Sequence, residues 1–325
     1  MAKQDQRLID KPACTRRDFL QGATGVAAGV LAAPLGETEA ASTLPTVAFG
    51  SQRVTRLIAG GNPIFGYSHF NLQYNRHMVE YFTDERVVRF MLDCEKAGIN
   101  TWQSNYKPRS QHHYSLIREA GCKMHWICLA NPTDADPKAE TTGDYDAAVA
   151  KVVAMAAKAK PIGIAQHGGV TDTLWRAGKL DRLRTFIDCV HEAGFPAGIS
   201  THSPAVVEAI EEKGWSHDFF MTCFYDVMRQ PEEFQKEIGV VPVGETYLSS
   251  DPPRMCKVIR QVKKPCLAFK ILAAGRLCET AEEVREAFKF AFQNIKPTDA
   301  VIVGMYPRYS DQISENARIV REICP

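Results

Sequence analysis

The sequence predicts an α/β protein of the (β/α)8 barrel class, and three observations lead there. From about Val54 onward, short β-rich apolar runs alternate with amphipathic stretches, the pattern of parallel strands joined by crossover helices. The alternation occurs eight times, the number that closes a barrel. No G-x-G-x-x-G junction follows an early strand, as a dinucleotide-binding open sheet would carry.

In chain order the strands read "TRLIAGG", "INTWQSN", "HWICLAN", "PIGIAQHG", "PAGISTHS", "FFMTCFY", "CLAFKIL" and "AVIVGM". The intervening helices carry their own signals. "DERVVRFMLDCEKAG" sets Val87, Val88, Met91, Leu92 and Cys94 near one face and stops at Gly98, and "LDRLRTFIDCVHEAG" behaves alike. In "TAEEVREAFKFAFQNI", Thr280 and Glu283 have capping-box spacing, in which hydroxyl and carboxylate satisfy backbone donors reciprocally. After the first strand, "GYSHFNLQYNRHMVEYFTDE" is longer than an ordinary βα loop and carries His69 and His77. It reads either as a lid with substrate contacts or as a packed surface insertion.

Residues 54–325 are assigned to the barrel, 42–53 to a linker and 1–41 to an export signal. The signal reading rests on "TRRDFLQGATGVAAGVLAAPLG", where Arg16 and Arg17 precede a weakly apolar run rich in Ala and Gly, as in bacterial twin-arginine signals. Small residues around Ala40 and Ala41 suit cleavage, and the run is too short and interrupted for a stable membrane span in the mature protein. The expectation is an exported, periplasmic protein that engages the twin-arginine translocase. With 45% hydrophobic residues and a net charge of +1, the chain has the composition of a large globular domain and offers no electrostatic footprint for nucleic acid. Its ten cysteines include no C-x-x-C, so they do not read as a zinc or iron–sulfur set; those in apolar runs read as buried thiols.

Active sites of such barrels form where the strands end at their carboxyl side. Asn62 and Asn131 close strands one and three, Gln103 and Asn105 close strand two, His167 closes strand four and His202 strand five. Tyr225 ends strand six and Lys270 lies within strand seven. Polar groups pointing into a low-dielectric barrel require partners, so a hydrogen-bonded network is the minimum expectation.

From Arg56 to Arg321 the sequence resembles the aldo-keto reductases, (β/α) barrels that mostly reduce carbonyls with NADPH. The resemblance lies in "EKAGINTWQSNY", "IAQHGGVTD", "FPAGISTHSPAVVEAI", "LAAGRL" and "IVGMYPRYSDQISENARIV", in that order. In that family a Tyr hydroxyl donates a proton to the carbonyl, Lys and Asp lower its pKa, and His orients substrate. By resemblance His167 matches the family His, Gln103 stands in the Asp position, and Tyr106 arrives about two residues before the family Tyr. The Lys position falls on Ala130 or Asn131, leaving Lys270 as the cation that would replace it; His202 and Thr201 stand where an Asn holds the nicotinamide amide. The resemblance thus implies an oxidoreductase with an altered tetrad centred on His167 and Tyr106, its further catalytic candidates being Gln103, Lys270 and His202, acting on a small carbonyl or sugar. It also implies NADP held through Arg276, Arg308 and Ser310, while the rim positions of Asn62, Asn105, Asn131 and Tyr225 make them the candidate substrate contacts.

Two other readings stand beside it. His167 and His202, with Glu245 from "VGETYL", suit a metal or acid–base site for lyase, isomerase or hydrolase chemistry, although no spacing marks a metal set. The third is a ligand-binding barrel without catalysis.

Overall fold

Ten short segments adopt extended structure in the computed structural model, which describes residues 43–139 and 143–324. The expected export signal lies outside them. The strands are β1 (Thr46–Phe49), β2 (Gln52–Thr55), β3 (Leu57–Gly60), β4 (Thr101–Asn105), β5 (His125–Ala130), β6 (Gly163–Gln166), β7 (Ala197–Thr201), β8 (Phe219–Cys223), β9 (Cys266–Phe269) and β10 (Ala300–Gly304). β3 to β10 form a closed parallel barrel in sequence order, with β10 pairing back onto β3. All eight correspond to the strands read from sequence.

Because successive side chains in a strand face opposite ways, each strand serves two cores. Ile58, Ile127, Ala165, Met221, Leu267 and Ile302 meet inside the barrel. Their neighbours, including Trp102, Trp126, Cys128, Ile199, Phe220 and Val301, pack outward against the helices. Burying each large side chain contributes about 1.5–3 kcal/mol relative to exposure. The helices begin as their caps dictate: Thr83 accepts from the Arg86 amide, and Thr280 with Glu283 forms the reciprocal capping box. Among the described residues no helix is long and apolar enough to cross a membrane.

One segment differs from the sequence reading, and a second takes one of the two forms left open for it. The stretch 42–53, read as a linker, carries β1 and the start of β2, an antiparallel hairpin that covers the amino-terminal end of the barrel. Gly50, at φ +56°, opens its two-residue turn. The Phe49 ring reaches Phe219 with centroids 4.7 Å apart. A Cβ on Gly198 would lie 2.3 Å from the Phe219 ring, and one on Gly163 would lie 2.9 Å from Phe49, so both glycines make space for this aromatic floor. The insertion after β3 forms a helix at Leu72–Tyr81, and Tyr81 and His77 pack edge-on against Tyr306 at 5.1 and 5.8 Å. Its body is packed, while its leading turn delivers His69 to the carboxyl rim.

Candidate active site at the carboxyl rim

At the end of β6 the chain turns through His167 directly into the helix Gly168–Arg176. One helical turn later Asp172 faces the end of β7. The carboxylate is buried and accepts from three donors: Thr201 Oγ1 at 2.5 Å, His202 Nδ1 at 2.7 Å and the His202 amide at 3.2 Å. With Nδ1–H given to Asp172, Nε2 is the basic nitrogen of His202. The ring lies tight over the helix start, where a Cβ on Gly168 would come within 3.0 Å of both His202 Cε1 and Ser200 Oγ.

His167 stands between His202 and Lys107 in strand order. Its Nδ1 is buried without a hydrogen-bond partner. Burial, and then the nearby charges of His202 and Lys107, push its pKa down to about 4, so the imidazole is neutral at physiological pH. Lys107 continues the inward register of Gln103 and Asn105 past the end of β4. Burial opposes its charge, but Asp134 and the Tyr67 hydroxyl outweigh that cost and raise its pKa; the ammonium lies 3.4 Å from Asp134 Oδ1. Asn131 positions Asp134 by capping its turn, accepting from the Thr133 amide at 3.0 Å.

A second polar group gathers around Lys270, a non-glycine residue at φ +61°. Its ammonium donates to Glu245 Oε1 at 3.0 Å and lies 3.3 Å from His69 Nδ1. His69 Nδ1 donates to Glu245 Oε2 at 2.9 Å, while Asn62 Nδ2 donates to His69 Nε2 at 3.1 Å. Tyr247 also donates to Glu245. Burial acts to raise the Glu245 pKa, yet His69 and Lys270 hold the carboxyl well below its ordinary range. Tyr225 packs edge-on against Tyr247 at 5.1 Å, and burial pushes its hydroxyl up to about 12. The His202 ring meets Phe269, the residue before Lys270, at 5.6 Å, linking the two groups.

The expected residues are therefore unevenly gathered. Gln103 and Asn105 share the inward face of β4, and among the described residues no protein group hydrogen-bonds their side-chain amides. Tyr106 is not brought to the site: one position further on, alternation turns it outward, where it stacks on Trp126 and donates to Gln111 Oε1 at 3.0 Å. Glu245 is engaged by His69 and Lys270 instead of joining the two histidines, and among the described residues no three His, Cys, Asp or Glu side chains are placed to hold a metal ion.

The proposed phosphate ligands also separate. Arg276 is a strut, held between the Phe70 and Tyr247 rings at 4.4 and 4.0 Å and donating to the His69 carbonyl at 3.2 Å. Arg308 and Ser310 remain exposed just before the helix Gln312–Ile323, whose start is capped by Asp311. Of the three, Arg308 and Ser310 are the ones exposed to an anionic group. Beside His202 a cleft of about 650 Å³ runs between Ser203, Asp226, Arg229, Asp251 and Met255. Burial there pushes the Asp226 carboxyl up to about 6.

Sequence reasoning passed over Asp172, Lys107 and Asp134. The inward register of β4 was a signal for Lys107; nothing in a helix interior marked Asp172.

No protein-family model matches the chain, and no curated protein matches it. Solved structures do. A protein described as an aldo-keto reductase from Pseudomonas aeruginosa superposes with a TM-score of 0.54 at 16% identity, over 88% of this chain and 98% of that one. An aldo-keto reductase from Bacillus halodurans, in its holo form, gives 0.51 at 12% identity, over 86% and 90%. At these identities the likeness is one of fold, the (β/α)8 barrel.

Proposed function

We propose that the chain is an exported oxidoreductase acting on a small carbonyl or sugar substrate, with Tyr67, Lys107, Asp134 and His167 as its working set. The observation that carries this reading is Lys107, whose ammonium lies 3.4 Å from Asp134 Oδ1 and near the Tyr67 hydroxyl, and whose charge helps to lower the pKa of His167. These neighbours of Lys107 support a tetrad of the carbonyl-reducing kind in which Tyr67 takes the role expected of Tyr106.

Tyr67 donates its hydroxyl proton to the carbonyl oxygen. Lys107 stabilises the phenolate left behind, and Asp134 holds the ammonium in place. Neutral His167 hydrogen-bonds a substrate oxygen without adding charge. Gln103 and Asn105 offer unpaired amides to substrate hydroxyls, and Tyr225 offers an aromatic wall. A nicotinamide dinucleotide, NADP in the first instance, supplies the hydride when bound, and Arg308 and Ser310 are the residues that would hold its phosphate.

NADPH-linked reduction of an aldehyde and keto-sugar panel tests the reading. Turnover that falls about 100-fold in Tyr67→Phe is expected; no turnover with NADPH or NADH rejects it. Export through the twin-arginine translocase to the periplasm is tested separately by Arg16→Lys with Arg17→Lys, which blocks translocation if the signal reading holds.

A further inference from the structure

The reductive chemistry leaves the Asp172–His202 pair unused. The pair is nevertheless well built. Both carboxylate oxygens of Asp172 are engaged, the side chain is only 2% exposed, and its contacts fix His202 with the proton on Nδ1. Among the described residues no protein group bonds His202 Nε2, and the ring borders the cleft beside the rim. Gly168 keeps this arrangement possible, since any side chain there would strike the ring. A buried carboxylate spent on orienting an unoccupied imidazole nitrogen has the form of a general base with its positioning residue.

We infer that the protein also catalyses proton exchange at the carbon next to a bound carbonyl, with His202 as the base and Asp172 as the residue that positions it. The inference rests on the carbonyl substrate proposed above. His202 Nε2 removes the proton from the α-carbon, and the C–H electron pair becomes the C=C bond of an enol. The carbonyl π pair moves onto oxygen, which takes a proton from the Tyr67–Lys107 side. Return of the proton from His202 to the same carbon, with the enol O–H proton passing back to the Tyr67–Lys107 side, restores the substrate. In an α-hydroxy carbonyl the intermediate is an enediol; delivery of the proton to the former carbonyl carbon, with loss of the proton of the other enediol hydroxyl to the Tyr67–Lys107 side, instead interconverts aldose and ketose. Neither outcome involves net oxidation, so no electron acceptor is required.

Strand order suits this division of labour, because His167 separates Lys107 from His202 and a carbonyl bonded to it would have an oxygen-side donor and a carbon-side base on opposite flanks. The titratable groups beside the His202 ring are Asp172, from the helix that precedes β7, and neutral His167 at the end of β6, while the cleft that the ring borders adds Glu208, Asp226, Arg229 and Asp251.

The test is deuterium incorporation into dihydroxyacetone and D-glyceraldehyde by the full chain in D2O, followed by proton NMR without added cofactor. Wild-type protein is expected to exchange the α-proton well above the protein-free rate, and His202→Gln to lose at least about 100-fold of that activity. Asp172→Asn should lower kcat for exchange at least about 10-fold per folded molecule with KM little changed, because an amide no longer fixes the proton on His202 Nδ1; a purely structural role would lower the folded fraction and leave kcat per folded molecule in place. No exchange by wild type, or undiminished exchange by folded His202→Gln, overturns the inference. Exchange without carbonyl reduction rejects only the oxidoreductase reading, and reduction without exchange rejects only this one.

Discussion

At the amino-terminal end of the barrel, Phe49, Phe219, Gly163 and Gly198 meet as rings against bare backbone, with the hairpin drawn over them. The carboxyl end shows the opposite economy. Among the described residues, four of the five non-glycine residues with positive φ, His69, Lys270, Ala273 and Ala274, lie there, as do an unpartnered buried imidazole nitrogen and several half-buried charges. Strain and unpaired polarity cost stability, and they persist where a site requires them. The floor holds the fold so that the rim need not.

Substitutions at the two ends should separate stability from activity. The largest effect is expected at the floor, where Phe49→Ala removes the ring packed on Phe219 and should cost about 3–5 kcal/mol in chemical denaturation, with activity per folded molecule unchanged. A comparable loss of activity would break the division. At the rim, Tyr67→Phe should cost about 2.7 kcal/mol in transition-state stabilisation, the equivalent of 100-fold in kcat, with an unchanged melting temperature. Lys270→Met leaves Glu245 with one cation fewer. Because the lysine is buried but the carboxylate is 27% exposed, the expected loss is about 1–2 kcal/mol, between the values for surface and buried pairs.

The smallest effect lies in pH dependence. His167 binds a proton below about 6.5 when unfolded and only below about 4 when folded, so the unfolded chain carries the extra proton between those values. Stability therefore falls as pH drops through that window, and His167→Gln should flatten the decline by about one proton in a series of urea titrations. An unchanged slope would mean that the imidazole charges freely in the folded protein.

The sequence made the barrel legible because its strands are buried on both faces and read as continuous apolar runs, from "TRLIAGG" to "AVIVGM". The hairpin was legible in principle. Gly50-Ser51 lies between alternating Val47, Phe49 and Val54, the pattern of a two-residue turn, but a position next to the signal-like segment favoured a linker reading. The rim was legible where a residue closes a strand, as with His167 and His202, and illegible where contacts depend on loops crossing the mouth. Tyr106 shows the limit of counting from a family pattern, since one step of strand alternation moved its hydroxyl to Gln111. Asp172 and Glu245 came together with their partners only through helix phase and loop path.

The aromatic floor has a kinetic corollary. With Phe49 and Phe219 packed across the amino-terminal end, a ligand of the carboxyl rim would arrive and depart on the rim side of the described barrel. Substrate and product of the proposed reaction would then share one approach, so a product resembling its substrate should inhibit competitively, and widening that approach near the exposed Phe70, beside His69, would quicken both arrival and escape.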